Sequence, residues 1–162
     1  MIASAVFKWD AMKNLFDATV ANQIKARLGT LRPQTERHWG KMTAPQMLAH
    51  CSMSMHWAVG DVVPEKAPVI VRLMGRVVKP LVFRSENPLR KNSPTAKSLV
   101  VADERDFAKE RERLTGLIDR FVAGGPAGCT KSPHSFFGKM TSDEWAILMY
   151  RHLDHHLRQF GV

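Results

Sequence analysis

A chain of 162 residues is long enough for one domain with its own core, and 44% apolar with 24% charged residues is the balance of an ordinary globular protein. Two cysteines, Cys51 and Cys129, exclude a disulfide scaffold. The longest apolar stretch, 69–83, is too short and too charged to span a bilayer.

Met1 is followed by no basic and apolar leader, so the expectation is a cytoplasmic, reduced setting. The net charge of +9 allows an anionic partner. No zinc-finger spacing, RRM signature or basic-zipper heptad accompanies it, and nucleic acid is not an expected partner.

In chain order, Met12, Leu15, Phe16, Val20, Ile24 and Leu28 recur at three- and four-residue steps and predict a first helix over 11–31. The stretch 32–42, RPQTERHWGKM, breaks the pattern. Thr43 reads as the N-cap of a second helix, with Pro45 in its first turn and Gln46 completing a capping box; that helix ends at Gly60. A crossover follows over 61–102 with five prolines, and from Pro68 it can form a short amphipathic helix. On that helix Arg72, Arg76 and Lys79 make a basic stripe, read as a solvated face or as a phosphate- or membrane-contacting one. The stretch 98–102, SLVVA, is the one place for a short extended piece. The next helix is capped by Asp103 and stopped at Gly124 and Gly125, and a Gly/Pro-rich loop leads to a last helix that starts at Thr141, with Glu144 closing a second capping box. The fold class expected is all-α: an antiparallel four-helix bundle, one domain over 1–162, with a crossover carrying an extra short helix.

The two capping boxes share an aromatic-Gly-Lys-Met-Thr opening, and each Thr gives a reference angle. At about 100° per residue, His152 lies about 20° and His156 about 60° round the last helix, beside Trp145 at about 40°. Both therefore sit mid-way across its apolar face, one turn apart, as when a helix offers two imidazoles to one metal. On the second helix His50 faces inward and His56 faces away. Inward histidines can also be core residues bonded to carbonyls, and both readings stand at this point. Cys51 reads as a small buried hydrophobe or, less simply, a thiol nucleophile. Gln159, one turn beyond His156, reads equally as a partner for a ligand histidine or as a packing residue. His134 and His38 belong to loops, and His155 and Asp154 to the edge of the last helix. A di-iron carboxylate site lacks its Glu-x-x-His pair: Met149 and Leu153 stand three before His152 and His156.

The residues MLAHCSMSMHWAVGD and FFGKMTSDEWAILMYRHLDHHLRQFGV resemble the DinB/YfiT-like superfamily of metal-dependent proteins, and more narrowly a branch of unknown function with the HLDHHLRQFG ending. The resemblance runs from Trp39 onward. It implies a four-helix bundle whose metal is held by one histidine of the second helix and two of the last, here His50, His152 and His156. It also implies a divalent ion, zinc first, with nickel, iron or manganese as alternatives. Three protein ligands leave a position open for water or substrate. The implied activity is transfer or hydrolysis on a small-molecule substrate, with a low-molecular-weight thiol as the implied partner. A non-catalytic metal- or ligand-binding bundle is the alternative. Relatives of this type also imply a homodimer.

Overall fold

The computed structural model describes residues 12–85 and 87–162 of the chain. The described residues contain five α-helices and no strand: α1 (Ala18–Thr30), α2 (Ala44–Ala58), α3 (Val69–Arg84), α4 (Phe107–Gly128) and α5 (Ser142–Gln159). A 3-10 turn, Lys97–Leu99, takes the start of SLVVA, and Val100 after it is extended.

Local chemistry sets most of the helix ends. At α2 the Thr43 hydroxyl accepts from Gln46 N while the Gln46 side chain accepts from Thr43 N, and Thr141 and Glu144 repeat this reciprocal pair at α5. Two starts differ from the sequence reading. The α1 helix begins at Ala18 because Asp17 caps it, taking the N–H groups of Thr19 and Val20. Residues 12–16 turn instead: Asn14 Oδ1 accepts from Phe16 N, and Leu15 N donates across to the Ala146 carbonyl at 3.0 Å. The position Ala11 lies outside the described residues. At α4 the cap is Asp106, whose side chain accepts from Lys109 N, and not Asp103. The expected stop at Gly124 and Gly125 appears as a kink, with Gly125 at φ 52° and Pro126 behind it.

α1, α2, α4 and α5 share one apolar core, with Leu15, Ile24, Leu28, Met47, Leu48, Met55, Leu114, Ile118, Trp145 and Leu157 all but closed to solvent. Cross-helix bonds give the directions. Leu15 meets Ala146 and Arg27 meets Asp154, so α1 and α5 run the same way. Gln46 bonds to the Asp103 carbonyl, while the Ala58 carbonyl receives Thr130 N and Asp61 pairs with Arg120, so α2 and α4 also run together. The residues just before α2, His38 and Trp39, meet Gln159 at the end of α5, while Ser54 further along α2 meets His152 two turns earlier, so the two pairs oppose each other. Chain neighbours α1/α2 and α4/α5 are thus antiparallel and joined by loops. The parallel pair α2/α4 needs a crossover along the length of the bundle, and this is what the α3 segment supplies.

α3 lies outside the core and touches it on one side. A Cβ on Gly75 would stand 2.0 Å from the Phe136 carbonyl oxygen, so α3 packs backbone to backbone on the loop before α5. Phe83 is buried edge-on against Phe137, and the Arg151 guanidinium donates to the Val82 carbonyl near the end of α3. Lys79 pairs with Glu144 at 2.7 Å. Of the basic stripe, Arg72 and Arg76 are exposed and Lys79 is half-buried against the body of the protein, but the stripe does not have the solvent side to itself: Val69, Ile70, Leu73, Met74, Val77 and Leu81 are exposed beside it.

Candidate metal centre

α2 carries His50 and, one turn later, Ser54; α5 carries His152, His156 and Gln159. The opposed directions of α2 and α5 bring these side chains to one level. His50 Nε2 lies 3.0 Å from His152 Nε2, and His156 Nε2 lies 3.1 Å from the same atom. Among the described residues this is the one group of three His, Cys, Asp or Glu side chains brought close enough to hold a metal ion, each residue offering one ligand atom within 4.8 Å of the others. His50 and His156 are buried and His152 half-buried.

The neighbours of each ring decide where its proton sits. His50 Nδ1 is 2.7 Å from the Leu99 carbonyl, which can only accept, so Nδ1 carries the hydrogen. His152 Nδ1 is 3.0 Å from Ser54 Oγ; with the hydroxyl's own proton on the Cys51 carbonyl at 2.8 Å, that oxygen accepts from the ring. His156 Nδ1 is 2.8 Å from Gln159 Oε1, and the amide orientation is set by Gln159 Nε2 donating to the Trp39 carbonyl at 2.7 Å. All three imidazoles are then the Nδ1–H tautomer, and all three Nε2 atoms present a bare lone pair to one another. The two short Nε2···Nε2 approaches have no proton to share, so they are not hydrogen bonds between neutral rings.

Protonating the cluster does not resolve this. Burial holds His50, His152 and His156 below the ordinary imidazole range, His156 to about 3 and His152 well below 6.5, with repulsion between the rings adding to the effect. Unsatisfied buried acceptors cost about 1–3 kcal/mol each. Nitrogen atoms bound about 2.0–2.1 Å from one ion stand roughly 2.9–3.4 Å apart, depending on the coordination angle. The two spacings to His152 Nε2, 3.0 and 3.1 Å, fall in that range, and each remaining N–H donates to an oxygen, as ligand histidines do. The residues present therefore fit a divalent ion.

Other singled-out residues lie off this centre. His56 Nδ1 pairs with Asp61 at 2.8 Å on the far side of α2. His155 packs edge-on against Trp39 and beside His156. Asp154 is held between Arg27 and Arg158. His38 N donates to the Gln159 carbonyl from the loop before α2. Cys51 is fully buried with its thiol pushed far up by desolvation, and its Sγ faces Met47 Sδ at 3.7 Å; it is a core side chain and not a thiolate. His134 organises its own loop: Nδ1 accepts from Phe136 N at 3.1 Å and Phe137 N at 3.2 Å, and burial lowers its pKa to about 4. A cavity of about 510 Å³ lined by Lys79, Cys129, Lys131, Lys139 and Glu144 includes none of the three histidines.

Two groups at the centre carried no functional reading in the sequence. Ser54 had a signal, since it stands one turn from His50 on the same face. The Leu99 carbonyl had none, because any residue supplies a carbonyl and 49 positions separate it from His50. No curated protein and no solved structure matches the chain. Residues 5–161 match the family described as "Protein of unknown function (DUF1569)", and the chain belongs to that family.

Proposed function

We propose that His50, His152 and His156 bind one divalent metal ion through Nε2, and that the protein is a metal-dependent enzyme of the DinB/YfiT-like type. The observation that supports this reading is the convergence of three Nε2 lone pairs while every Nδ1 proton is engaged by Leu99, Ser54 or Gln159. Zinc is the first choice; nickel, iron and manganese also suit imidazole. Bound there, the ion supplies a Lewis acid that lowers the pKa of a coordinated water or thiol towards neutrality. The chain's own part is to orient. Leu99, Ser54 and Gln159 fix the three rings, and the apolar core behind them keeps water from competing at the buried faces. With three protein ligands a position stays open, which suits transfer or hydrolysis on a small substrate, with a low-molecular-weight thiol as the co-substrate class.

Metal content of protein purified without an affinity tag, followed by calorimetry on metal-stripped protein, tests the site. Wild type should take up a single ion per chain, and His152→Ala should lose most of the affinity. Equal affinity in the two proteins overturns the assignment. Turnover of the metal-loaded protein on a panel of thiols and electrophiles tests the chemistry separately; metal uptake without turnover leaves a metal-binding bundle.

A further inference from the structure

α3 is apolar on both sides and covered on only one. Val71, Val78 and Val82 lie half-buried towards the body of the protein, with Gly75 and Phe83 fully buried between them. The opposite side carries Val69, Ile70, Leu73, Met74, Val77 and Leu81, each between 51% and 75% exposed. Val69, Leu73, Val77 and Leu81 fall at four-residue steps and form one continuous ridge, with Ile70 and Met74 alongside. Val62 and Val63, also exposed, lie in the segment that leads into the helix. An apolar helix face is normally turned to a core, and this one is not. The six side chains expose on the order of 600 Å², at the upper end of what the largest apolar patch of a monomer covers.

On α3 itself the charges are of one sign, with the flanking carboxylates of the chain, Glu65 and Glu86, lying beyond its two ends in the sequence. From 66 to 85 the chain has Lys66, Arg72, Arg76, Lys79 and Arg84 and no acidic residue, within a chain of net charge +9. Arg72 and Arg76 flank the ridge on one edge and are exposed. A second copy seated on this face would bring arginines towards arginines with no carboxylate on α3 to meet them, and like charges across an interface oppose association. The ridge is also convex: it offers no groove to a peptide.

A convex apolar helix edged by arginine, on a basic protein, has the complement of an anionic bilayer surface. We propose that the outer face of α3 docks the protein on anionic lipid membranes, with Val69, Leu73, Val77 and Leu81 entering the interfacial layer and Arg72 and Arg76 meeting lipid phosphates. The inner face stays on the protein through Gly75, Phe83 and the Lys79–Glu144 pair, so docking needs no unfolding of α3. This proposal does not depend on the metal centre.

The full chain should co-sediment with vesicles of phosphatidylcholine mixed with phosphatidylglycerol, bind pure phosphatidylcholine much less, and be released as salt rises from physiological strength to about 1 M. The double variant Leu73→Glu/Val77→Glu should bind at least roughly tenfold more weakly. Its helix content and unfolding midpoint should match wild type, because both side chains are exposed. Arg72→Gln/Arg76→Gln should lose the preference for the anionic vesicles. No binding to either vesicle, or unchanged binding in the Leu73→Glu/Val77→Glu protein, overturns the proposal. So does a wild-type dimer that this variant converts to monomer, since a second copy then covers the face.

Discussion

Gln159 is bonded at both ends of its amide: Oε1 accepts from His156 Nδ1 at 2.8 Å, and Nε2 donates to the Trp39 carbonyl at 2.7 Å. The second bond fixes which end of the amide faces the histidine. The first fixes which nitrogen of the histidine is left bare. A loop carbonyl before α2 thus sets the tautomer of a ring on α5.

Gln159→Leu keeps the volume and removes the acceptor. Metal affinity should fall by roughly tenfold to a hundredfold, the usual cost of losing such a partner of a ligand histidine. Calorimetry on metal-stripped protein checks this, with circular dichroism to show the fold intact. Unchanged affinity means that Gln159 does not orient His156.

Gly40→Ala reaches the same amide from the other side. A Cβ at Gly40 would lie 2.4 Å from Gln159 Nε2, on a backbone with φ of +80°. The left-handed backbone costs about 1 kcal/mol for alanine relative to glycine, and the Gln159 side chain must swing away. Weakened metal binding should accompany a modest fall in the unfolding midpoint. A fall in stability with affinity unchanged would detach Gly40 from the metal centre.

His56→Ala and His155→Ala separate ligation from simple proximity. His56 bonds to Asp61 on the other side of α2, so its loss should leave metal affinity unchanged and cost at most about 1 kcal/mol of stability. His155 touches His156 only by ring contact, and its loss should weaken binding modestly. His50→Ala and His156→Ala should behave like His152→Ala. Metal titrations of the set give the ranking, and loss of binding in His56→Ala would break it.

Stability of the metal-free protein should fall in acid. Burial holds the pKa of His156 near about 3 and of His134 near about 4, both below the unfolded value of 6.5. The folded state therefore binds fewer protons than the unfolded one. The stability this represents is fully present above pH about 6.5 and is lost as pH falls towards the folded values. By pH 5 each such imidazole should cost up to about 2 kcal/mol. Urea midpoints measured from pH 7 to pH 5 check the slope; a flat profile contradicts the burial of these rings. With metal bound the fall should be steeper, since acid also releases the ion.

Gly75→Ala tests how α3 is held. The added methyl would meet the Phe136 backbone carbonyl, which cannot move aside as a side chain can. Overpacking of this kind costs about 1–3 kcal/mol. Thermal unfolding should show it, and hydrogen exchange should localise the loosening to 69–84. Wild-type exchange in α3 would mean that the helix is not anchored at Gly75.

Local chemistry settled what the sequence could settle alone. The α2 and α5 starts were legible because a capping box is closed by residues three apart, whatever the rest of the chain does. The inward pair His152 and His156 was legible because helical periodicity places them beside Trp145. The α1 start was misjudged because Met12, Leu15 and Phe16 continue the apolar period. They are spaced like a helix but packed as a turn, since Asp17 takes the helix cap and Leu15 bonds to Ala146.

Tertiary structure decided the rest. That His50 meets the pair on α5 depends on α2 and α5 being opposed neighbours, and no spacing in the sequence states this. That all three Nε2 atoms are bare depends on Leu99, Ser54 and Gln159, of which Leu99 contributes only a backbone carbonyl. Both sides of α3 carry apolar side chains, so periodicity could not say which would be covered. Gly75 decided it, because only the side without a Cβ can approach the Phe136 carbonyl, and that choice left the ridge from Val69 to Leu81 facing outward. Hydrophobic attraction is non-directional; close backbone contact and hydrogen bonds select one arrangement among the many that the same apolar pattern allows.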